Sequence, residues 1–242
     1  MNANTSVDGP RRDSEIRAGI EKRAIQLLIQ ILVMAALLFI SAGSLDWVMV
    51  WVYLGIYVVG IAINSFILLR HNPELIAERA EVGPGTKGWD QVLSALYVFV
   101  SGIGTLLFAG LDVRFGWSPD IPLLVQLITL VAVVLGVALA SWAVLSNAVF
   151  ATTVRIQDER GHTVATGGPY RYVRHPGYAG WLLAGMATPL MLGSRWALIP
   201  AFLGGLLLIV RTGLVDRTLR EELDGYQEYA QRVRYRLLPG IW

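Results

Sequence analysis

Four stretches of this chain run for twenty residues or more without a single charged side chain: Ala24–Leu45, Trp47–Leu69, Val92–Leu111 and Ile121–Val154. A helix needs about 20 apolar residues to cross the hydrocarbon core of a bilayer, and in that medium every backbone polar group has to be satisfied within the segment. The four runs therefore predict four transmembrane helices. Composition agrees, since only 16% of the 242 residues are charged against roughly 25% in ordinary soluble domains.

The stretch Gly177–Val215 is less regular, because Arg195 and Arg211 cut it into shorter apolar pieces. It predicts a helical hairpin or a pair of short helices turning near Met191–Trp196, with Arg211 close enough to a helix end to snorkel. The expected fold is thus an all-α integral membrane protein of about five to six transmembrane helices with a C-terminal cytosolic region. Residues 1–23 are expected as a retained, mobile N-terminal tail with a short interfacial helix near "SEIRAGIEKRA", because the first apolar run is too long for a removable signal peptide. Residues 24–146 then hold the first four spans, and residues 147–242 the chemistry-bearing region.

If the polar segments alternate sides, 18 of the 20 Lys and Arg residues share one face and only Arg114 and Arg195 fall on the other. The positive-inside rule places that face, both termini included, in the cytosol, most simply at the cytoplasmic membrane. A net charge of +2 with no basic patch interleaved with aromatics argues against nucleic-acid binding. Membrane lipids are the expected surroundings, with headgroup anchoring the plain reading of the arginines in the tail and in the loop from Arg70. No feature specifies an oligomeric state.

The chain has no cysteine, which excludes disulfides, thiolate nucleophiles and zinc–thiolate sites. His71, His162 and His175 are too few and too scattered for a metal cage. Gly55 with Gly60, and Gly102 with Gly104, are expected to allow close helix packing.

Polar residues concentrate late in the chain, above all in "GGPYRYVRHPGYAGW", Gly167–Trp181. Gly167, Gly168 and Pro169 break any helix and permit close backbone approach, and Pro176 stands where a helix begins. The first turn of that helix offers unpaired N–H groups to an anion, with Arg174 and His175 adding donors. A plainer reading is an interfacial belt of Tyr170, Tyr172 and Tyr178 with two headgroup-binding arginines.

The longer segment "GHTVATGGPYRYVRHPGYAGW" resembles the signature of the isoprenylcysteine carboxyl methyltransferase family of integral-membrane enzymes. The resemblance rests on His162, Gly168, Tyr170, Arg174, His175, Pro176, Tyr178 and Gly180, and extends from about Asn147 to the C-terminus. It implies S-adenosyl-L-methionine as cofactor and a lipophilic or lipidated acceptor, a carboxylate or an amine. It also implies a helical membrane fold rather than a soluble Rossmann-like one, and no strand followed by a Gly-x-Gly loop occurs.

On this resemblance the cofactor-binding set is His162, Gly168, Pro169, Tyr170, Arg174, His175, Pro176 and Tyr178, completed by an acid. The family's acidic pair falls at Val215 and Asp216 when anchored on Leu219, Tyr226 and Tyr229, so its first member is missing here. Asp216 is the expected acid, contacting an ammonium or hydroxyl; Glu222, with Glu221, is the competing choice.

Methyl transfer from a sulfonium is an in-line displacement, which needs positioning and dryness rather than a covalent nucleophile. Arg211, Arg217 or Arg174 would orient a carboxylate acceptor, and an intramembrane charge such as Arg211 is a functional candidate in its own right. Asn147 is either a contact near the acceptor or a plain helix C-cap. Two other functions are compatible with the pattern: a nicotinamide-dependent membrane reductase of related architecture, and a non-catalytic lipid-binding protein.

Overall fold

A computed structural model describes residues 8–83, 85–148, 150 and 161–242, the first four of these as backbone only. Its long helices are α1 (Asp8–Ala42), α2 (Val48–His71), α6 (Leu123–Leu145) and α8 (Leu198–Glu222). Between α2 and α6 lie the short α3 (Pro73–Glu78), then α4 (Gly88–Tyr97) and α5 (Thr105–Phe115) joined through a π-helical segment, Val98–Gly104. α7 (Pro176–Met191) and α9 (Tyr226–Arg232) complete the chain, and the described residues contain no strand.

Among the described residues, five segments are long and apolar enough to cross a membrane: Arg12–Ala42, Val48–His71, Gly88–Phe115, Leu123–Leu145 and Leu198–Glu222. The architecture is an all-α integral membrane bundle. Side chains such as Ile29, Leu32, Phe99 and Leu135 point outward, as a bilayer permits because lipid tails are as apolar as the side chains themselves.

Three expectations change. The charged residues from Arg12 to Arg23 are not a separate interfacial helix, because α1 continues unbroken through them. They pack along α3 and the turn after it, through the ion pairs Arg12–Glu74 at 2.6 Å and Lys22–Glu81 at 2.9 Å. The fourth apolar run is helical only to Leu145, with Ser146 as its C-cap, so Asn147 is not the cap residue. The hairpin turns where the sequence suggests, but its halves are unequal: α7 has 16 residues, about 24 Å at 1.5 Å per residue, short of the hydrocarbon thickness.

α7 compensates by packing inside the bundle. A Cβ on Gly180 would stand 2.5 Å from the Gly136 carbonyl oxygen, and one on Gly136 2.6 Å from that of Gly180. Backbone thus touches backbone where α6 crosses α7, the close approach that only small residues allow. Of the glycines expected to pack, Gly60 meets Val137 and Gly104 meets Pro200, whereas Gly55 faces open space. Around the far end of α7 sits the main apolar core, with Leu38, Val133, Met191 and Ala197 fully buried.

The turn beyond α7 is held by one carboxylate. Asp112 accepts from the Ser118 backbone N–H and hydroxyl, from the Ser194 hydroxyl and from the Trp196 N–H. Four neutral donors compensate its desolvation, as buried polar groups require.

Candidate functional site

At the opposite end, Gly168–Arg171 form one 3₁₀ turn with Pro169 at its start. Gly168 has φ +53°, and a Cβ there would stand 2.4 Å from the Ser146 hydroxyl oxygen, so conformation and space both require glycine. His175 is the N-cap of α7 and Pro176 its first residue, the preferred place for proline. Two backbone bonds, Arg174 N–H to the Tyr235 carbonyl and His175 N–H to the Arg236 carbonyl, both 2.9 Å, tie this entrance to the C-terminal segment.

The Arg174 guanidinium makes the main connection. Its Nε and Nη2 donate to the two oxygens of Asp216 at 2.6 and 3.1 Å, and Nη1 donates to the carbonyls of Val233 and Arg234 at 2.7 Å each. The fork and the carboxylate match in shape, which makes such pairs strong and directional. Arg174 therefore links the start of α7, the last third of α8 and the segment after α9.

Asp216 is 1% exposed and collects further donors: Tyr226 Oη at 3.0 Å, Arg220 Nε at 3.1 Å and Arg236 Nε at 3.0 Å, with His175 Nε2 3.4 Å away. In this arrangement its oxygens are fully occupied by protein. It positions the surrounding cations rather than presenting a bare carboxylate, as expected for contact with a ligand ammonium.

The aromatic residues close the rest. Tyr229 Oη donates to the Tyr170 carbonyl at 2.7 Å, and the Tyr170 hydroxyl donates to the Ala143 carbonyl at 3.4 Å. Burial raises the ionisation of Tyr170 and Tyr226 well above the ordinary phenol range, and moves Tyr229 up to about 12. These tyrosines act as neutral hydrogen-bonding walls. Burial also lowers the pKa of His175, against the opposing pull of Asp216, so the ring is neutral at pH 7.

The His175 ring lies parallel to Tyr178, centroids 5.7 Å apart, and the Arg211 guanidinium stands 5.2 Å from the other aromatic centroid. Arg211 does not snorkel. Its Nε and Nη2 donate to Asp90 at 2.7 and 3.1 Å, and Asp90 is wholly buried in the first turn of α4. A buried charge is tolerable when paired in this way.

The structure thus gathers Asn147, Gly168, Pro169, Tyr170, Arg174, His175, Pro176, Tyr178, Arg211 and Asp216 at one end of the bundle. His162 is half-buried in the segment leading to Gly167. Arg217 is exposed and pairs with Glu221, while Glu222 is exposed and pairs with Lys87, so these three lie on the outer face of α8. Sequence reading missed Asp90, Arg220 and Arg236. Asp90 carried a signal, as a lone acid at the mouth of an apolar run; the two arginines had none.

The family model for "Isoprenylcysteine carboxyl methyltransferase (ICMT) family" matches residues 127–223, the stretch that supplies α7, α8 and most of the cluster around Asp216. Over this stretch the chain is similar to the ICMT family. Two curated relatives, each a "Probable protein-S-isoprenylcysteine O-methyltransferase", come from Oryza sativa subsp. indica and subsp. japonica. Each is 30% identical over 112 residues, which is 45% of this chain and 59% of the relative. The chain therefore spans less than two thirds of those relatives' length.

Proposed function

We propose that this protein is a membrane methyltransferase carrying a methyl group from S-adenosyl-L-methionine to a lipophilic acceptor, and that its site lies at the start of α7. The observation that carries this reading is the coincidence of the ICMT segment with the one buried cluster in which Arg174 joins α7, α8 and the C-terminal segment. The donor supplies an electrophilic methyl group on a sulfonium.

The residues suit such a group. The first turn of α7 offers backbone N–H groups to a carboxylate, and the face of Tyr178 suits a cationic or planar moiety. Gly168 and Gly177 let this entrance pack closely on Ser146 and Phe150, which fixes its backbone. Arg174 and Asp216 hold the helix start in place, so the donors are set before a ligand arrives, and preorganisation of this kind is what an in-line displacement requires. Arg211, fixed by Asp90, stands beside Tyr178 as the cation nearest a reacting carboxylate. A carboxylate acceptor needs no general base, whereas an amine would have to lose a proton, for which neutral His175 is the nearest acceptor.

The positive face, where the site lies, is assigned to the cytosol. The cysteine-free sequence makes this checkable, with Arg17→Cys expected to label from the cytosolic side only and Asp120→Cys from the other.

The decisive experiment titrates purified protein in detergent with S-adenosylmethionine, S-adenosylhomocysteine and NADPH, then follows transfer of a labelled methyl group to an S-farnesylated cysteine derivative. Binding of both adenosyl compounds is expected. Binding of NADPH with neither of them would overturn the reading.

A further inference from the structure

A second polar feature lies away from this cluster. A cavity of about 150 Å³ opens among α1, α2, α3 and α6 and reaches Trp181 on α7. Its floor is apolar, with Leu27, Ile61, Val137 and Val144, and its polar wall holds Arg23, Arg79, Asn64 and Ser141.

Both arginines that are buried among the described residues meet carboxylates. Arg174 and Arg211 each engage one bidentately. Arg23 and Arg79 do not: Arg23 Nη1 donates to the Gln26 side chain at 3.2 Å, and no described carboxylate lies within ion-pair distance of either guanidinium. The nearby Glu81 is engaged by Lys22. Arg79 Nε is buried without a hydrogen-bond partner, and the guanidinium rests 5.5 Å from the Phe150 centroid. Burial and the neighbouring positive charge of Arg23 push the Arg79 pKa down to about 10.

Asn64 adds an opposite demand. Its Nδ2 donates to the Gly60 carbonyl and the Ser141 hydroxyl, while its Oδ1 is buried and unpartnered. A buried donor and a buried acceptor left open in one cavity call for an occupant offering both.

We propose that this cavity is a binding site for the headgroup of an anionic glycerophospholipid bearing a hydroxyl. The phosphate would engage Arg23 and Arg79, and the hydroxyl would donate to Asn64 Oδ1. The acyl chains have a place beside it, because α1 and α2 expose Leu28, Leu32 and Ile63 to the surroundings. The site depends on a phosphate between two mutually repelling guanidinium groups, which distinguishes it from general attraction of surface arginines to anionic lipid.

The test uses the full chain in vesicles of phosphatidylcholine with or without phosphatidylglycerol, reading lipid retained after detergent extraction by mass spectrometry of the intact complex. Phosphatidylglycerol should be retained over phosphatidylcholine. R23Q/R79Q should lower its affinity about 30-fold, at the scale of one juxtamembrane basic contact per arginine. R17Q/R70Q, which removes two exposed arginines, should leave retention unchanged; equal loss in both double variants would reduce the site to surface anchoring and overturn the proposal.

If R23Q/R79Q does not fold, R79Q against R79K makes the same comparison, with about fivefold loss expected only for R79Q. N64L should erase any preference for phosphatidylglycerol over phosphatidic acid, and a preference that survives overturns the hydroxyl assignment. Displacement of the lipid by millimolar inorganic phosphate, or by an S-farnesylated cysteine carboxylate, would overturn the choice of a phospholipid as occupant.

Discussion

Asp112 and Asp216 are both buried aspartates on membrane-spanning segments, at 2% and 1% exposure, and they serve opposite ends of the bundle. Asp112 meets four neutral donors and closes the turn between α7 and α8. Asp216 meets three guanidinium groups and a tyrosine hydroxyl, drawn from four separate parts of the chain. One carboxylate among neutral dipoles is a local fastener. One carboxylate among three arginines leaves positive charge in excess, an environment suited to an anionic group and sensitive to any lost partner.

Asp216→Ala should have the largest effect. That change strands Arg174 among buried groups, a loss on the scale of about 3–5 kcal/mol. It should abolish measurable binding of the methyl donor along with a large drop in Tm, read by calorimetry and by titration. Asp112→Asn keeps one acceptor oxygen and loses the charge-assisted bonds, so about 1–2 kcal/mol of stability should go, with donor affinity in the remaining folded protein unchanged. Equal loss of donor affinity in both variants would erase the distinction between the two ends.

A smaller effect concerns pH. Burial holds the His175 pKa below its ordinary value, so the unfolded chain takes up that proton first as pH falls. The contribution of His175 to stability is therefore complete above about pH 6.5 and is lost as pH falls below that value toward the folded pKa. A thermal-melt series in H175Q should show a shallower acid decline than the parent. Least of all, Glu222→Ala removes only an exposed pair with Lys87 and should change Tm by the equivalent of under about 0.5 kcal/mol, with donor binding intact. Loss of donor binding in that variant would reinstate the Glu221–Glu222 reading of the acidic position.

The apolar runs announced α2 and α6, the core of α1 and the α4–α5 span, because a bilayer-spanning helix is specified by its own hydropathy. The Gly-Pro turn and the Pro176 start of α7 were equally legible, since φ restrictions act within one or two residues. What failed was non-local. Gly55 and Gly60 look alike in sequence, yet only Gly60 meets a neighbouring helix. Arg211 read as a cation able to snorkel, and it pairs instead with Asp90, 121 positions away.

By itself, then, the sequence determined a multi-pass helical protein with its positive charge on one face and a polar segment resembling a methyltransferase signature. Those properties follow from hydropathy, charge count and local backbone preference, each readable over a short window. Only the tertiary structure decided that Asp216 is enclosed by Arg174, Arg220 and Arg236, that Asp90 claims Arg211, and that Arg23 and Arg79 are left facing a cavity. A desolvated charge needs a partner, but which partner it finds depends on how helices distant in sequence pack together.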